Sequence, residues 1–197
     1  MSMFCYQCQE TAGGKGCAVR GVCGKTEEVA KLQDLLIYTL KGISEIVVKG
    51  KLDVKSLGET NYEVLSSLFM TITNANFDDG SIEMQIMKMI AVRDKLRNSN
   101  ASAGLHDAAT FMVSSRESML EKAATVGVLS TADEDVRSLR EMIIYGLKGI
   151  AAYAEHAKNI GKEDPAVNVF IYEALATTLD DSISADDLVA LTLKTGE

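Results

Sequence analysis

Four cysteines lie within the first 23 residues of the 197-residue chain, and no cysteine follows them. Cys5, Cys8, Cys17 and Cys23 have the spacing C-x2-C-x8-C-x5-C, so one short segment carries four potential thiolates. Four soft sulfur ligands suit a tetrahedral zinc ion or an iron–sulfur cluster. Two disulfides are a third alternative, although that arrangement is typical of small secreted domains.

The spacing and the glycines of this segment favour a cluster over zinc. Zinc sites usually pair two C-x2-C knuckles, whereas the last two cysteines here are separated by five residues. A cubane is larger than a single ion, so its ligands must lie further apart. Glycines allow backbone N–H groups to approach sulfur closely. The segment contains Gly13, Gly14, Gly16, Gly21 and Gly24. The residues therefore favour an iron–sulfur cluster and leave zinc open.

The charge of the cysteine segment differs from that of the whole chain. The chain has a formal net charge of −8 and a pI of about 4.9, which argues against a broad nucleic-acid-binding face. Within residues 1–25, Lys15, Arg20 and Lys25 are opposed only by Glu10. Nearby cations lower the pKa of thiols and offset the negative charge of a cluster.

The chain shows no sequence pattern of a membrane or secreted protein. No run of about 18 apolar residues occurs. The first residues lack the basic and apolar regions of a signal peptide. We therefore expect a cytoplasmic protein with no membrane partner and no nucleic-acid partner.

The rest of the chain has helical periodicity. Apolar residues recur at steps of three and four, and strand-like alternation is absent, so the predicted fold class is all-α. Thr26, Thr131 and Ser184 are predicted to precede helices as capping residues. Pro165 is predicted at the first position of another helix.

A polar stretch without periodicity, residues 98–104, divides the helical part of the chain. We predict an iron–sulfur cluster-binding loop at 1–25, a first helical bundle at 26–98, a linker at 99–113 and a second helical bundle at 114–197. Residues 26–197 are expected to form one helical domain together.

An internal repeat supports two similar helical bundles. Residues 32–43 align without gaps with residues 139–150, and seven of the twelve positions are identical. Repeats of this kind indicate duplicated units that pack against each other. Gly42 and Gly149 share one repeat position. Because glycine inside a helix costs about 1 kcal/mol relative to alanine, we predict a close helix–helix approach at both glycines.

Other residue patterns do not indicate a catalytic site. His106 and His156 are not preceded three residues earlier by glutamate, as a di-iron carboxylate centre would need. The charged run at 93–97 is interpreted as a solvated helix face. No catalytic residue is predicted.

The cysteine segment also resembles a known family. Residues 4–11, 16–17 and 20–25 are similar to the N-terminus of the hybrid cluster proteins, also called prismane proteins or hydroxylamine reductases. The resemblance continues along the chain. It includes residues 71–76, 93–97, 135–141 and 152–156, and it covers essentially all 197 residues.

The resemblance implies a cofactor and an architecture. Cys5, Cys8, Cys17 and Cys23 match the family's ligands, and their spacing resembles the class that holds a 4Fe-4S cubane. The family's N-terminal domain consists of two three-helix bundles, which agrees with the repeat.

Family members are much longer than this chain. Their hybrid iron–sulfur–oxygen cluster, where hydroxylamine or nitric oxide is reduced, takes its ligands from later domains. We therefore expect an electron-transfer unit that relays electrons from a redox donor protein to a hybrid cluster outside this chain, and that is inactive alone. The missing C-terminal domains and a second copy of the chain are the other expected partners. The alternative is a zinc-stabilised helical interaction module without redox activity.

Overall fold

The computed structural model describes residues 3–100 and 103–197. Within these residues seven α-helices form and no strand does, which confirms the all-α prediction. The helices are α1 (Glu27–Lys49), α2 (Gly58–Met70), α3 (Asp79–Ser99), α4 (Arg116–Ala123), α5 (Glu134–Asn159), α6 (Pro165–Thr177) and α7 (Ala185–Thr195). In the same part of the chain, no helix has both the length and the apolar character needed to cross a membrane.

Helix α1 begins directly after Thr26, the capping residue predicted from the sequence. The Thr26 hydroxyl accepts a hydrogen bond from the Val29 N–H at 3.2 Å, which satisfies a free donor of the first turn. Glu27 and Glu28 add negative charge there, where the helix dipole favours it. One face of the helix, which includes Leu36 and Leu40, is fully buried in the core.

Three other predicted helix ends can be compared with the structure. Pro165 is the first residue of α6, and Ser184 caps α7 by accepting from the Asp187 N–H, as predicted. The predicted cap Thr131 is wrong, because Asp133 caps α5 by accepting from the Val136 N–H at 2.9 Å. Aspartate and threonine side chains can both cap a helix, and Asp133 takes the role that was predicted for Thr131.

The helices pack in two groups that follow the internal repeat. Helix α1 packs mainly against α3 and α6, whereas α5 packs mainly against α2 and α7. The repeat relates α1 to α5. Helix α2 follows α1 in the sequence but packs against α5, and α6 follows α5 but packs against α1. One continuous hydrophobic core joins the two groups. The domain boundaries at 26–98, 99–113 and 114–197 stay a prediction.

The two repeat-related glycines have different surroundings. A Cβ atom at Gly42 would overlap the carbonyl group of Ala108 and lie 2.7 Å from the backbone nitrogen of Ala109. The prediction of a close approach is therefore confirmed at Gly42, although the partner is the 3-10 turn Asp107–Ala109 and not a second α-helix. It is wrong at Gly149, where a Cβ atom would meet nothing within 4 Å. On α5 the close approach is at Gly146 instead, where a Cβ atom would lie 2.6 Å from the Thr195 methyl group.

Arg93 is buried completely, which the interpretation of residues 93–97 as a solvated face did not predict. Its guanidinium donates to the carbonyls of Ala108 at 3.2 Å and Phe111 at 2.6 Å. Asp94 balances its charge at 2.8 Å. Arg93 thereby binds residues 108–111, which follow the polar stretch, to α3.

Candidate metal centre

The cysteine loop is held together by a short pair of backbone hydrogen bonds. The Cys5 N–H donates to the Cys17 carbonyl at 3.1 Å, and the Cys17 N–H donates to the Cys5 carbonyl at 2.9 Å. Residues paired in this way have Cα atoms about 5.5 Å apart. Two of the four thiols are therefore brought to neighbouring positions although 11 residues separate them along the chain.

Turns bring the other two cysteines to the same loop. The Thr11 N–H donates to the Cys8 carbonyl at 3.3 Å, and the Thr11 hydroxyl donates to the Cys5 carbonyl at 3.2 Å. A turn closed by the Gly24 N–H and the Gly21 carbonyl at 2.9 Å contains Cys23. All four sequence-predicted ligands thus belong to one structural unit.

Gly16 is required next to Cys17 for two reasons. Its φ is 106°, which only glycine adopts readily. A Cβ atom at this position would also lie 2.5 Å from the Phe4 ring. The glycine therefore lets the chain turn tightly against an aromatic ring immediately before the third cysteine.

Contacts with the helical domain fix the loop in place. Met3 and Cys17 pack against Ala30 of α1 in a small apolar cluster. The Thr73 hydroxyl, which follows α2, donates to the Gln7 carbonyl at 3.1 Å. The helices thus position the loop that precedes them in the sequence.

The four thiols are free, so the disulfide alternative is not realised in the structure. Cys17 is buried with 5% of its surface exposed, Cys5 and Cys8 are half-buried, and Cys23 is exposed. The loop therefore presents one edge to solvent and shields the opposite edge.

Backbone donors stabilise the thiolate form of Cys17. The N–H groups of Ala12 and Val22 donate to its sulfur and lower the pKa of the thiol, and these contributions outweigh the effect of burial. The Thr11 hydroxyl lies 3.7 Å from the same sulfur. Hydrogen bonds to sulfur are one of the means by which proteins tune iron–sulfur clusters.

Lys25 places a buried positive charge beside Cys5. Its side chain is only 2% exposed, and its Nζ lies 4.0 Å from the Cys5 sulfur. Nζ also donates to the Gln33 side chain at 2.7 Å, and Gln33 in turn donates to the Asn76 carbonyl at 3.0 Å. Burial raises the pKa of the Cys5 thiol, and Lys25 counteracts that effect. A buried ammonium group is costly without a negative partner, so this position suits a negatively charged group held by the cysteines.

The described cysteine sulfurs do not form the compact group of ligand atoms that a zinc site has. In a tetrahedral zinc site with Zn–S distances of about 2.3 Å, the sulfurs lie about 3.8 Å apart. In residues 3–100 and 103–197, no three ligand atoms that include a cysteine sulfur lie within 4.8 Å of one another.

The family model described as Prismane/CO dehydrogenase matches residues 3–197. The chain belongs to this family. A protein named hydroxylamine reductase from Acetivibrio thermocellus is 77% identical over 197 residues, which cover all of this chain and 36% of the relative. A hydroxylamine reductase from Clostridium perfringens is 50% identical over 204 residues, and one from Desulfitobacterium hafniense strain DCB-2 is 51% identical over 207 residues. Each match covers all of this chain and 37% of that relative. The chain thus spans little more than a third of the length of these relatives.

The structure of this Prismane family chain also shows polar residues that the sequence prediction missed. Gln33 and Asp34 on α1 lie next to the lysine that contacts Cys5, and Glu141 and Lys148 on α5 lie opposite them. The internal repeat contains a signal for them, since it aligns Asp34 with Glu141 and Lys41 with Lys148.

A second group of carboxylates in this family member already has a cationic partner. Glu28, Asp79 and Glu83 are the three-acid cluster within the described ranges. Arg116 forms ion pairs with all three, including one of 2.6 Å with Glu83. The arginine balances their charge and joins α4 to α1 and α3.

Proposed function

We propose that Cys5, Cys8, Cys17 and Cys23 bind a 4Fe-4S cubane and that this chain is the electron-transfer part of a hydroxylamine reductase-like hybrid cluster protein. The observation that carries the proposal is the convergence of free thiols, N–H donors and a buried lysine in one loop. When bound, such a cluster would accept and release single electrons. Membership of the Prismane/CO dehydrogenase family supports the assignment.

The loop residues have complementary roles in this proposal. The Ala12 and Val22 N–H groups donate to the Cys17 sulfur and so stabilise its negative charge. Lys25 stabilises negative charge at Cys5 from a position that solvent does not screen. Both interactions become stronger when an added electron makes the site more negative, so both favour reduction.

The exposed edge of the loop is where we place the redox donor protein. Cys23, Val19 and Val22 are exposed there, and Arg20 is exposed beside them. Apolar side chains next to a cation suit a donor with an acidic rim, because opposite charges guide weak electron-transfer partners together. The domains that make up the rest of the relatives' length are the proposed acceptor.

The isolated chain is expected not to reduce hydroxylamine. In the family, the hybrid cluster takes its ligands from later domains, and no cysteine follows Cys23 in this chain. Hydroxylamine turnover by the pure chain, with one cubane as its metal content, would contradict this expectation.

Anaerobic reconstitution with iron and sulfide tests the cofactor directly. We expect a brown protein with about four iron and about four sulfide per chain and a broad absorption that dithionite bleaches. The Cys17→Ser variant should lose most of this iron, whereas Lys15→Met, an exposed change in the same loop, should keep it. A colourless protein that holds one zinc ion per chain would refute the proposal and support the zinc-stabilised interaction module.

A further inference from the structure

The internal repeat places the same acid–base pair on two helices. Asp34 and Lys41 lie seven residues apart on α1, and Glu141 and Lys148 lie seven residues apart on α5. Seven residues are close to two helical turns, so each pair shares one face of its helix. Four charges therefore project from two faces that the repeat relates to each other.

These two faces line one polar cavity. Asp34, Lys41, Glu141 and Lys148 all contribute to the wall of a cavity of about 470 Å³ between α1 and α5. Lys148 is buried, and its Nζ donates to the Thr71 carbonyl at 3.1 Å. We call these four residues the charge quartet.

The backbone of the chain covers one carboxylate of the quartet. Gly127 passes so close that a Cβ atom there would lie 3.0 Å from the Asp34 Oδ2. Loss of hydration and the neighbouring Glu141 raise the pKa of the Asp34 carboxyl to about 7, whereas Lys148, Lys25 and Lys41 act in the opposite direction. Asp34 is thus a quartet carboxylate that can exchange a proton near neutral pH, and burial also lowers the pKa of the Lys148 ammonium, to about 8.

The quartet adjoins the cysteine loop. Asp34 and Glu141 also line a neighbouring cavity of about 630 Å³, whose wall includes Cys5 and Lys25. The charges of Asp34 and Lys148 both influence the pKa of the Cys5 thiol. Electrostatic influence is reciprocal, so negative charge added at the cysteines strengthens proton binding at Asp34.

We propose that the charge quartet couples electron uptake at the cysteine site to proton uptake at the Asp34 carboxylate. This inference rests on the proposed function. One electron enters the site from a one-electron donor, and one proton from solvent binds an Asp34 carboxylate oxygen. Reoxidation releases the same proton, so charge and atoms balance over the cycle.

The groups around Asp34 define the coupling. Glu141 and Lys148 oppose it from α5, Lys41 lies on its own helix, and Lys25 approaches from the cysteine loop. The remaining titratable or charged residues of the cavity wall are Tyr38, His106, Asp133, Arg140 and Asp181. The two quartet lysines lower the pKa of Asp34, and an electron added at the cysteine site would raise it, which favours the protonated form.

The midpoint potential of the reconstituted 197-residue chain, measured from about pH 6 to about pH 8, tests the coupling. We expect the potential to fall as pH rises and Asp34→Asn to abolish this dependence. Asp186→Asn, which removes an exposed carboxylate from α7, should behave like the parent chain. Glu141→Gln should move the pH-dependent range downward, because one cause of the raised pKa is removed.

The outcomes distinguish this inference from the proposed function. A chain that binds no iron refutes the proposed function. A reversible cluster whose potential does not change with pH, or whose pH dependence survives in Asp34→Asn, refutes the coupling alone. If Asp34→Asn fails to fold, as circular dichroism would show, the parent chain and Glu141→Gln decide the question by the same measurement.

Discussion

Replacing Gly42 by alanine is expected to destabilise the protein strongly. The new methyl group would overlap the Ala108 carbonyl and lie 2.7 Å from the Ala109 nitrogen. Both alanines are fully buried in a 3-10 turn, so they have little room to move. Gly149→Ala is the matched control, because it makes the same change at the same repeat position without any neighbour within 4 Å.

The magnitude follows from three contributions. Forcing a methyl group into a packed contact costs about 1–3 kcal/mol. A shift of the turn would also weaken the hydrogen bond from Arg93 to the Ala108 carbonyl, a charged interaction that contributes about 1.5–3 kcal/mol. Alanine restores about 1 kcal/mol of helix propensity. We therefore expect Gly42→Ala to lose about 2–4 kcal/mol and Gly149→Ala to gain about 0.5–1 kcal/mol.

Urea unfolding monitored by far-ultraviolet circular dichroism measures both changes. At this chain length each kcal/mol corresponds to about 2–4 °C in Tm, so thermal unfolding provides a second readout. If Gly42→Ala were as stable as Gly149→Ala, the close contact between α1 and the Asp107–Ala109 turn would be refuted.

Three further outcomes follow from buried charges. Lys25→Met should lower the midpoint potential of the reconstituted site, because it removes a buried cation 4.0 Å from the Cys5 sulfur. Lys15→Met, at an exposed position of the same loop, is the control and should change the potential less in the same redox titration. The stability contributed by protonated Asp34 is present below about pH 4 and is lost as pH rises through its folded pKa of about 7. The free energy of unfolding measured in urea should therefore decline over that pH range, and Asp34→Asn should remove the decline. Arg93→Met should cost about 3–5 kcal/mol in the same assay, because it leaves buried carbonyls and Asp94 without their cation; a loss below about 1 kcal/mol would contradict its proposed role.

Local patterns in the sequence determined most helix ends and the position of the four cysteines in one segment. The α1 cap at Thr26 and the first residue of α6 at Pro165 were predicted correctly, because a helix end depends on residues within about four positions. The four cysteines predicted as ligands from local spacing lie in one loop of the structure, and their role as ligands stays a prediction. The Thr131 cap failed because Asp133, which competes for the same role, lies only two residues away.

Only the tertiary structure decided what surrounds each of these features. Gly42 and Gly149 are equivalent in the repeat, yet only Gly42 meets another segment of backbone. Arg93 belongs to a charged run, yet it is buried because distant carbonyls satisfy its donors. Asp34 is an ordinary acidic residue in the sequence, and its unusual proton affinity arises from α5 and from loss of hydration. Packing between residues far apart in the chain sets burial and local charge, so these properties cannot be obtained from periodicity or spacing.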